Sequence, residues 1–314
     1  MTEFAEQIAS GRPVLTDGGI ETRVMFDTGL QMDPHIQVAA MTGDPAGRAA
    51  LFDIYAGYVA AGKECGLPVI IGTPTFRASP NFIAQAGLDP DAVVRLNSQA
   101  VALLQEVRDR SGHSPVYIAG VIGPSGDAYL PGEALSPEAG AEYHRSQAEA
   151  LQSAGVDFLF APTFPSVAEA EGACVAMAET GLPHVISYIL GPDQRVLDGT
   201  TLAEAIARID QVPTARPLYH SLSCIHPTAA ALALDTLRRE APDIITRLRE
   251  LKANGSPLRT DELIRLNEPV TDDPALFAQE MFALFEPGGL SVLGGCCGTD
   301  DRHMAALGEL LAGR

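Results

Sequence analysis

Residues 116–161 read VYIAGVIGPSGDAYLPGEALSPEAGAEYHRSQAEALQSAGVDFLFA. Val116–Gly120 and Phe158–Ala161 are short apolar runs of strand length, and Pro137–Ala154 between them carries a helical pattern. Pro137 suits a first helical turn, where its missing N–H costs nothing. Strand, helix, strand is the repeating unit of a parallel α/β fold.

The same alternation extends in both directions. Candidate strands precede the unit at Pro13–Thr16 and Val69–Gly72, and follow it at His184–Tyr188, Leu218–Ser221, Leu248–Ala253 and Ser291–Leu293. Helical patterns lie at Pro45–Ala61, Asp91–Arg110, Ser166–Glu179, Leu202–Gln211, Pro227–Arg239, Asp272–Phe285 and Asp301–Leu311. Eight strands, each followed by a helix, predict a (β/α)8 barrel of the TIM type. A doubly wound open sheet is the alternative, but no Gly-x-Gly-x-x-Gly follows the first strand. The 314 residues contain no Pro/Ser/Gly-rich linker or low-complexity stretch, so one barrel domain over residues 1–314 is expected.

Composition narrows the function classes. The net charge of −19 argues against a nucleic-acid partner, which needs a basic surface. Five cysteines, an odd number in a long chain, argue against a disulfide scaffold. The N-terminus lacks an apolar signal region and no long apolar run follows, so no membrane association is expected and the cytoplasm is the expected compartment.

Three of the cysteines fall where a barrel keeps its chemistry, at the C-terminal ends of strands. Cys224 follows the sixth candidate strand, and Cys296 and Cys297 follow the eighth within Gly294-Gly295-Cys296-Cys297-Gly298. Asp17, Gly18 and Gly19 follow the first. Three thiolates would leave the fourth tetrahedral position of Zn²⁺ open, the mark of a catalytic site. The plainer reading of a Cys-Cys pair is a buried turn without metal. Cys65 and Cys174 lie in helical stretches and read as packing. His220 and His226 flank Cys224. We expect His220 to pack inside the barrel mouth and His226 to open the next helix, with neither ligating metal.

A thiolate-rich zinc is a weak activator of water but suits a substrate thiol, ionised on binding and still nucleophilic toward carbon. Alkylation of a thiol is the chemistry this favours. A zinc hydrolase and a non-catalytic zinc–thiol binding protein are the competing readings.

With Leu15-Thr16-Asp17-Gly18-Gly19, the isolated Cys224 and Val292-Leu293-Gly294-Gly295-Cys296-Cys297-Gly298, the chain resembles the homocysteine S-methyltransferase family nearly end to end. Weaker agreement comes from Val121-Ile122-Gly123-Pro124 and from Leu197-Asp198-Gly199-Thr200-Thr201-Leu202. The resemblance implies Zn²⁺ on Cys224, Cys296 and Cys297, and a methyl group passed from an onium donor to homocysteine, giving methionine. It also implies that Asp17 helps to hold the amino-acid part of homocysteine; Gly18, Gly19, Glu21 and Thr163, at the same rim, are expected as further substrate contacts. One departure stands out. The family carries a glutamate after the fourth strand for the homocysteine ammonium, and this chain has Pro162 there. Either Glu21 or another acid at the rim replaces it, or the acceptor is a different thiol. The chain has no tryptophan, so an aromatic cage for the donor would draw on Phe76, Tyr129, Phe164 or Tyr188. The oligomeric state is not read from the sequence; the long connections before the second and eighth strands are where a homo-oligomer could find its interface.

Overall fold

The computed structural model describes residues 2–258, 270–286 and 289–314. Eight parallel strands close into a barrel in sequence order: β1 (Val14–Thr16), β2 (Val69–Gly72), β3 (Val116–Val121), β4 (Phe158–Phe164), β5 (His184–Tyr188), β6 (Tyr219–Ile225), β7 (Leu248–Ala253) and β8 (Val292–Gly295). Closure comes from β8 returning to β1, with Val14 opposite Val292 and Leu15 opposite Leu293. All eight candidate strands are present. The helical patterns are also present, with ends displaced by a few residues; the first runs on to Cys65, where Gly66 adopts the left-handed conformation that ends it.

Period-2 alternation sorts the strand residues into two apolar layers. Val14, Ile70, Tyr117, Phe158, Val185, Tyr219 and Val292 fill the barrel interior. Leu15, Ile71, Ile118, Leu159, Ile186, Leu222, Leu251 and Leu293 face the helices. The helix Glu3–Ala9, absent from the sequence reading, closes the lower end. Its Phe4 ring stacks on Phe158 with centroids 3.9 Å apart and meets Tyr117 edge-on at 5.3 Å. Thr2 caps this helix by accepting from the Ala5 amide.

β4 and β6 extend furthest beyond their apolar runs, and both bulge. β4 shifts register between Ala161 and Phe164, and β6 between Ser223 and Ile225. The residues at these irregularities are Thr163 (φ 58°) and Cys224 (φ 56°), left-handed although neither is glycine. Such a residue costs on the order of 1–3 kcal/mol and persists only where its surroundings fix it. Pro162, Thr163 and Cys224 therefore belong to the strands rather than to the loops that follow.

His220 corrects an expectation. It is held by Asp210 Oδ1 (3.0 Å to Nε2) and by the Tyr188 hydroxyl (3.0 Å to Nδ1). Asp210 ends the helix Leu202–Asp210, so this cluster lies at the N-terminal end of β6, away from the mouth. Tyr188 and Phe164 are fully buried in the layer beneath the helices and cannot form an aromatic cage. Among the described residues no helix is long and apolar enough to cross a membrane. The connection before β8 lies partly outside the described residues, at 259–269 and 287–288.

Above the apolar interior layer stands Glu250 on β7. It is 2% exposed, and its Oε2 has no hydrogen-bond partner among the described residues. Burial pushes its carboxyl up to about 7, against the opposing pull of Lys252. An acid raised in the folded state binds protons more tightly than in the unfolded chain, so stability declines as pH rises from about 4.5 through 7. Glu250→Gln should therefore be close to neutral at pH 5 and stabilising at pH 8, by on the order of 3 kcal/mol. Denaturant unfolding at the two pH values reads this directly. The same effect at both would remove Glu250 as the source.

Candidate metal centre

Cys224, Cys296 and Cys297 come together at the C-terminal rim, their sulfurs all within 4.8 Å of one another. Strict alternation would send Cys224 outward, because Leu222 faces the helices and Ser223 bonds inward to Ser187 (Oγ to Oγ, 2.7 Å). The left-handed turn at Cys224 overrides the alternation and brings its sulfur to 2.8 Å from that of Cys296. Cys296 and Cys297 sit just beyond β8, where the Cys296 amide donates to the Ala253 carbonyl and the Cys297 carbonyl accepts from the Gly255 amide. In Gly294-Gly295-Cys296-Cys297-Gly298 the glycines have different tasks. Gly298 is left-handed at φ 78°, whereas Gly294 and Gly295 are strand residues whose missing side chains leave room for Thr16 and Thr299.

The three thiols share charge. Hydrogen bonds from Cys224 and Cys297 hold the Cys296 thiol well below its ordinary value, and nearby Lys252 adds to this. Cys224, donating to that anion, is pushed up. One thiolate braced by two S–H donors is a site in which a cation would take the place of the protons. Sulfurs placed 2.3 Å from one tetrahedral ion stand roughly 3.8 Å apart, so Cys224 and Cys296 would separate by about 1 Å to hold it.

Asp17, Gly18 and Gly19 adjoin this centre. Asp17 is 3% exposed and both its oxygens are engaged: Oδ1 pairs with Lys252, and Oδ2 accepts from the Gly72 amide at 2.7 Å. Lys252 Nζ also donates to Thr16 Oγ1 (3.1 Å) and to the Asp17 carbonyl (3.3 Å). Gly18 and Gly19 are buried against Tyr58 and Thr299. At Gly19 an added Cβ would stand 2.8 Å from the Cys296 carbonyl oxygen, so glycine there lets the first loop back the cysteine loop closely. Tyr58 locks the contact by donating to the Gly19 carbonyl at 2.8 Å. Glu21 opens the short helix Glu21–Arg23 and is half-buried; burial first, then the charges of Cys296 and Asp17, raise its carboxyl. Thr163 is 5% exposed at the end of β4, and its Oγ1 is buried without a partner among the described residues. Pro162, beside it, brings no charge.

A family model described as homocysteine S-methyltransferase matches residues 14–311. The chain belongs to this family. It is similar to the homocysteine S-methyltransferase of Escherichia coli (strain K12), 27% identical over 272 residues that cover 81% of this chain and 82% of that protein. It is 26% identical over 278 residues to homocysteine S-methyltransferase YbgG of Bacillus subtilis (strain 168), covering 80% of each. The crystal structure of the Escherichia coli homocysteine methyltransferase MmuM in its metallated form shares the fold, with a TM-score of 0.75 over 95% of this chain and 96% of that one at 22% identity. This chain is accordingly an S-methyltransferase.

The sequence reading overlooked Lys252, which stands beside the cysteines. Lys252 lies in Leu-Arg-Glu-Leu-Lys-Ala, an alternation that suggests a strand with one solvated face; in a closed barrel that face is the interior. It stands on β7 between the two cysteine-bearing strands, opposite Ser223 on one side and Gly294 on the other. Burial opposes its charge, but Asp17 and Glu250 outweigh that and raise its affinity for the proton. His226 caps the next helix, as expected, its Nδ1 accepting from the Thr228 amide at 3.3 Å. Its Nε2 donates to Asp272 Oδ2 at 2.8 Å, which ties the β6 rim to the segment leading out of the β7 loop. Cys65 ends a helix and Cys174 is buried in one, as packing residues would be.

If these three cysteines are the ligand set, each of Cys224→Ser, Cys296→Ser and Cys297→Ser should abolish metal retention, because a hydroxyl is a poor substitute for a thiolate. Metal analysis of the purified variants checks this against about one ion per chain for the unaltered protein. Full occupancy in Cys297→Ser would take that residue out of the set.

Proposed function

We propose that this enzyme carries a methyl group from an onium donor to the sulfur of homocysteine, with zinc held by Cys224, Cys296 and Cys297. The observation that carries the reading is the meeting of three thiols from two strand ends at one rim, with no fourth protein ligand among the described residues. Sulfur donors in a three-ligand set favour zinc and leave a place for substrate. When bound, zinc would make a substrate thiol ionise near neutral pH and hold its sulfur ready for alkylation.

The chain's own groups do the rest. Cys224, fixed by its left-handed turn, and the Cys296–Cys297 pair, fixed by amide and carbonyl bonds to the β7 end, set where the acceptor sulfur comes to rest. Lys252 places positive charge beside an otherwise anionic cluster. In the reaction the acceptor S–H proton leaves to solvent, a sulfur–carbon bond forms to the methyl group, and the donor's bond to that methyl breaks with its electron pair staying on a neutral leaving group. The donor brings its own activation, so the protein's part is thiolate formation and alignment. A hydrolytic reading is weaker, since three thiolates make the metal a poor activator of water.

A panel of thiols assayed against S-methylmethionine, S-adenosylmethionine and betaine tests the reading, with methionine from homocysteine as the expected product. Homocysteine binding should also release close to one proton per site near pH 7, because a thiol with a pKa of about 8.5 must ionise to ligate metal. Calorimetry in buffers of different ionisation enthalpy measures it. Turnover of homocysteine without proton release would overturn thiol ionisation as the role of the centre.

A further inference from the structure

An acceptor that is an α-amino acid brings an ammonium and a carboxylate to the rim, and both need counter-charges that are not already occupied. Among the described residues most of the charged side chains near the cysteines are occupied. Asp17 is closed by Lys252 and the Gly72 amide. Arg23 is held by Asp27 at 2.8 Å and by Asp301 at 2.5 Å. Asp272 is held by His226, and Asp300 by Arg302 and His303. Pro162 and Thr163 at the β4 rim bring no charge.

Two groups of opposite sign remain. Glu21 lies on the β1 loop, half-buried, and forms no ion pair among the described residues. The charges of Cys296 and Asp17 act against its carboxylate and that of Arg77 acts for it, without an ion pair between them among the described residues. Arg77 lies on the β2 loop, close enough to Glu21 for its charge to be felt there, and it too makes no ion pair among the described residues. Its guanidinium is steadied over the Phe82 ring, 4.8 Å from the centroid, which leaves its N–H groups available. The loop beneath it is firm: Thr75 Oγ1 donates to the Val121 carbonyl at 2.7 Å, and Gly123 makes room for Phe76. Thr163 Oγ1, buried and without a partner, is a further unmet polar group at the same rim.

We propose that Glu21 and Arg77 clamp the amino-acid end of the acceptor, Glu21 binding its α-ammonium and Arg77 its α-carboxylate. This rests on the reading of the acceptor as a thiol-bearing α-amino acid, and it assigns acceptor choice to the β1 and β2 loops instead of to the end of β4.

Three thiols dissect the clamp: homocysteine, 4-mercaptobutanoate (which lacks the amino group) and 3-aminopropane-1-thiol (which lacks the carboxylate). Glu21→Gln should raise KM for homocysteine relative to 4-mercaptobutanoate by roughly tenfold to a hundredfold, the range for a lost charge-assisted hydrogen bond. Arg77→Met should raise KM for homocysteine relative to 3-aminopropane-1-thiol by a similar factor. Metal content measured alongside shows that the centre is intact, and Glu21→Asp should restore part of the loss. An equal rise for thiols with and without the amino group would overturn the role of Glu21. So would a rise confined to the donor's KM, which would make Glu21 the donor's counter-charge. If the unaltered enzyme methylates no thiol, it is the reading of the reaction that fails. The clamp is then decided by calorimetric binding of homocysteine, which Glu21→Gln must weaken by the same factor for it to stand.

Discussion

Three sulfur atoms from β6 and β8 have to meet at one point although β7 runs between them, and much of the upper barrel is arranged around that requirement. Neighbouring strands in a sheet are nearly 5 Å apart, so side chains two strands away from each other do not touch without help. The help comes from the backbone. A bulge and a left-handed residue lift Cys224 out of the alternation of β6, while the end of β8 is built of glycines so that the loops of β1 and β8 can press together. The intervening strand contributes Lys252, which fills the space below with a positive charge.

That charge has a second effect. A barrel interior lined with acids would be costly to assemble, and here Asp17, Glu250 and Cys296 lie within reach of one ammonium. The arrangement is unequal: Asp17 receives the direct contact, whereas Glu250 is left with one oxygen unpartnered and holds its proton to near neutrality. Charge balance in the upper barrel thus follows from which acid the lysine reaches, more than from how many acids are present.

The barrel was legible in the sequence because its signal is redundant. Eight apolar runs of strand length, separated by helical patterns opened by residues such as Pro45, Pro137 and Pro227, leave few arrangements of the chain. The cysteine set was legible for the same reason, since strand ends define one rim. Other features were hidden because they depend on local exceptions. Nothing in Ser223-Cys224-Ile225 or Pro162-Thr163-Phe164 announces a positive φ, so both strands were read short. His220 lies on the wrong end of β6 for the mouth because the strand begins only one residue before it. Lys252 looks solvent-facing until the sheet is closed. Arg77 sits in a loop with no periodicity to interpret.

The helix Glu3–Ala9, with Phe4 wedged between Phe158 and Tyr117, stoppers the barrel from below. The cysteines stand at the opposite rim above a packed interior layer, so the base plays no part in access to them. The aromatic ring at the base therefore serves the stability of the barrel, and the loops of the rim are left to serve the chemistry.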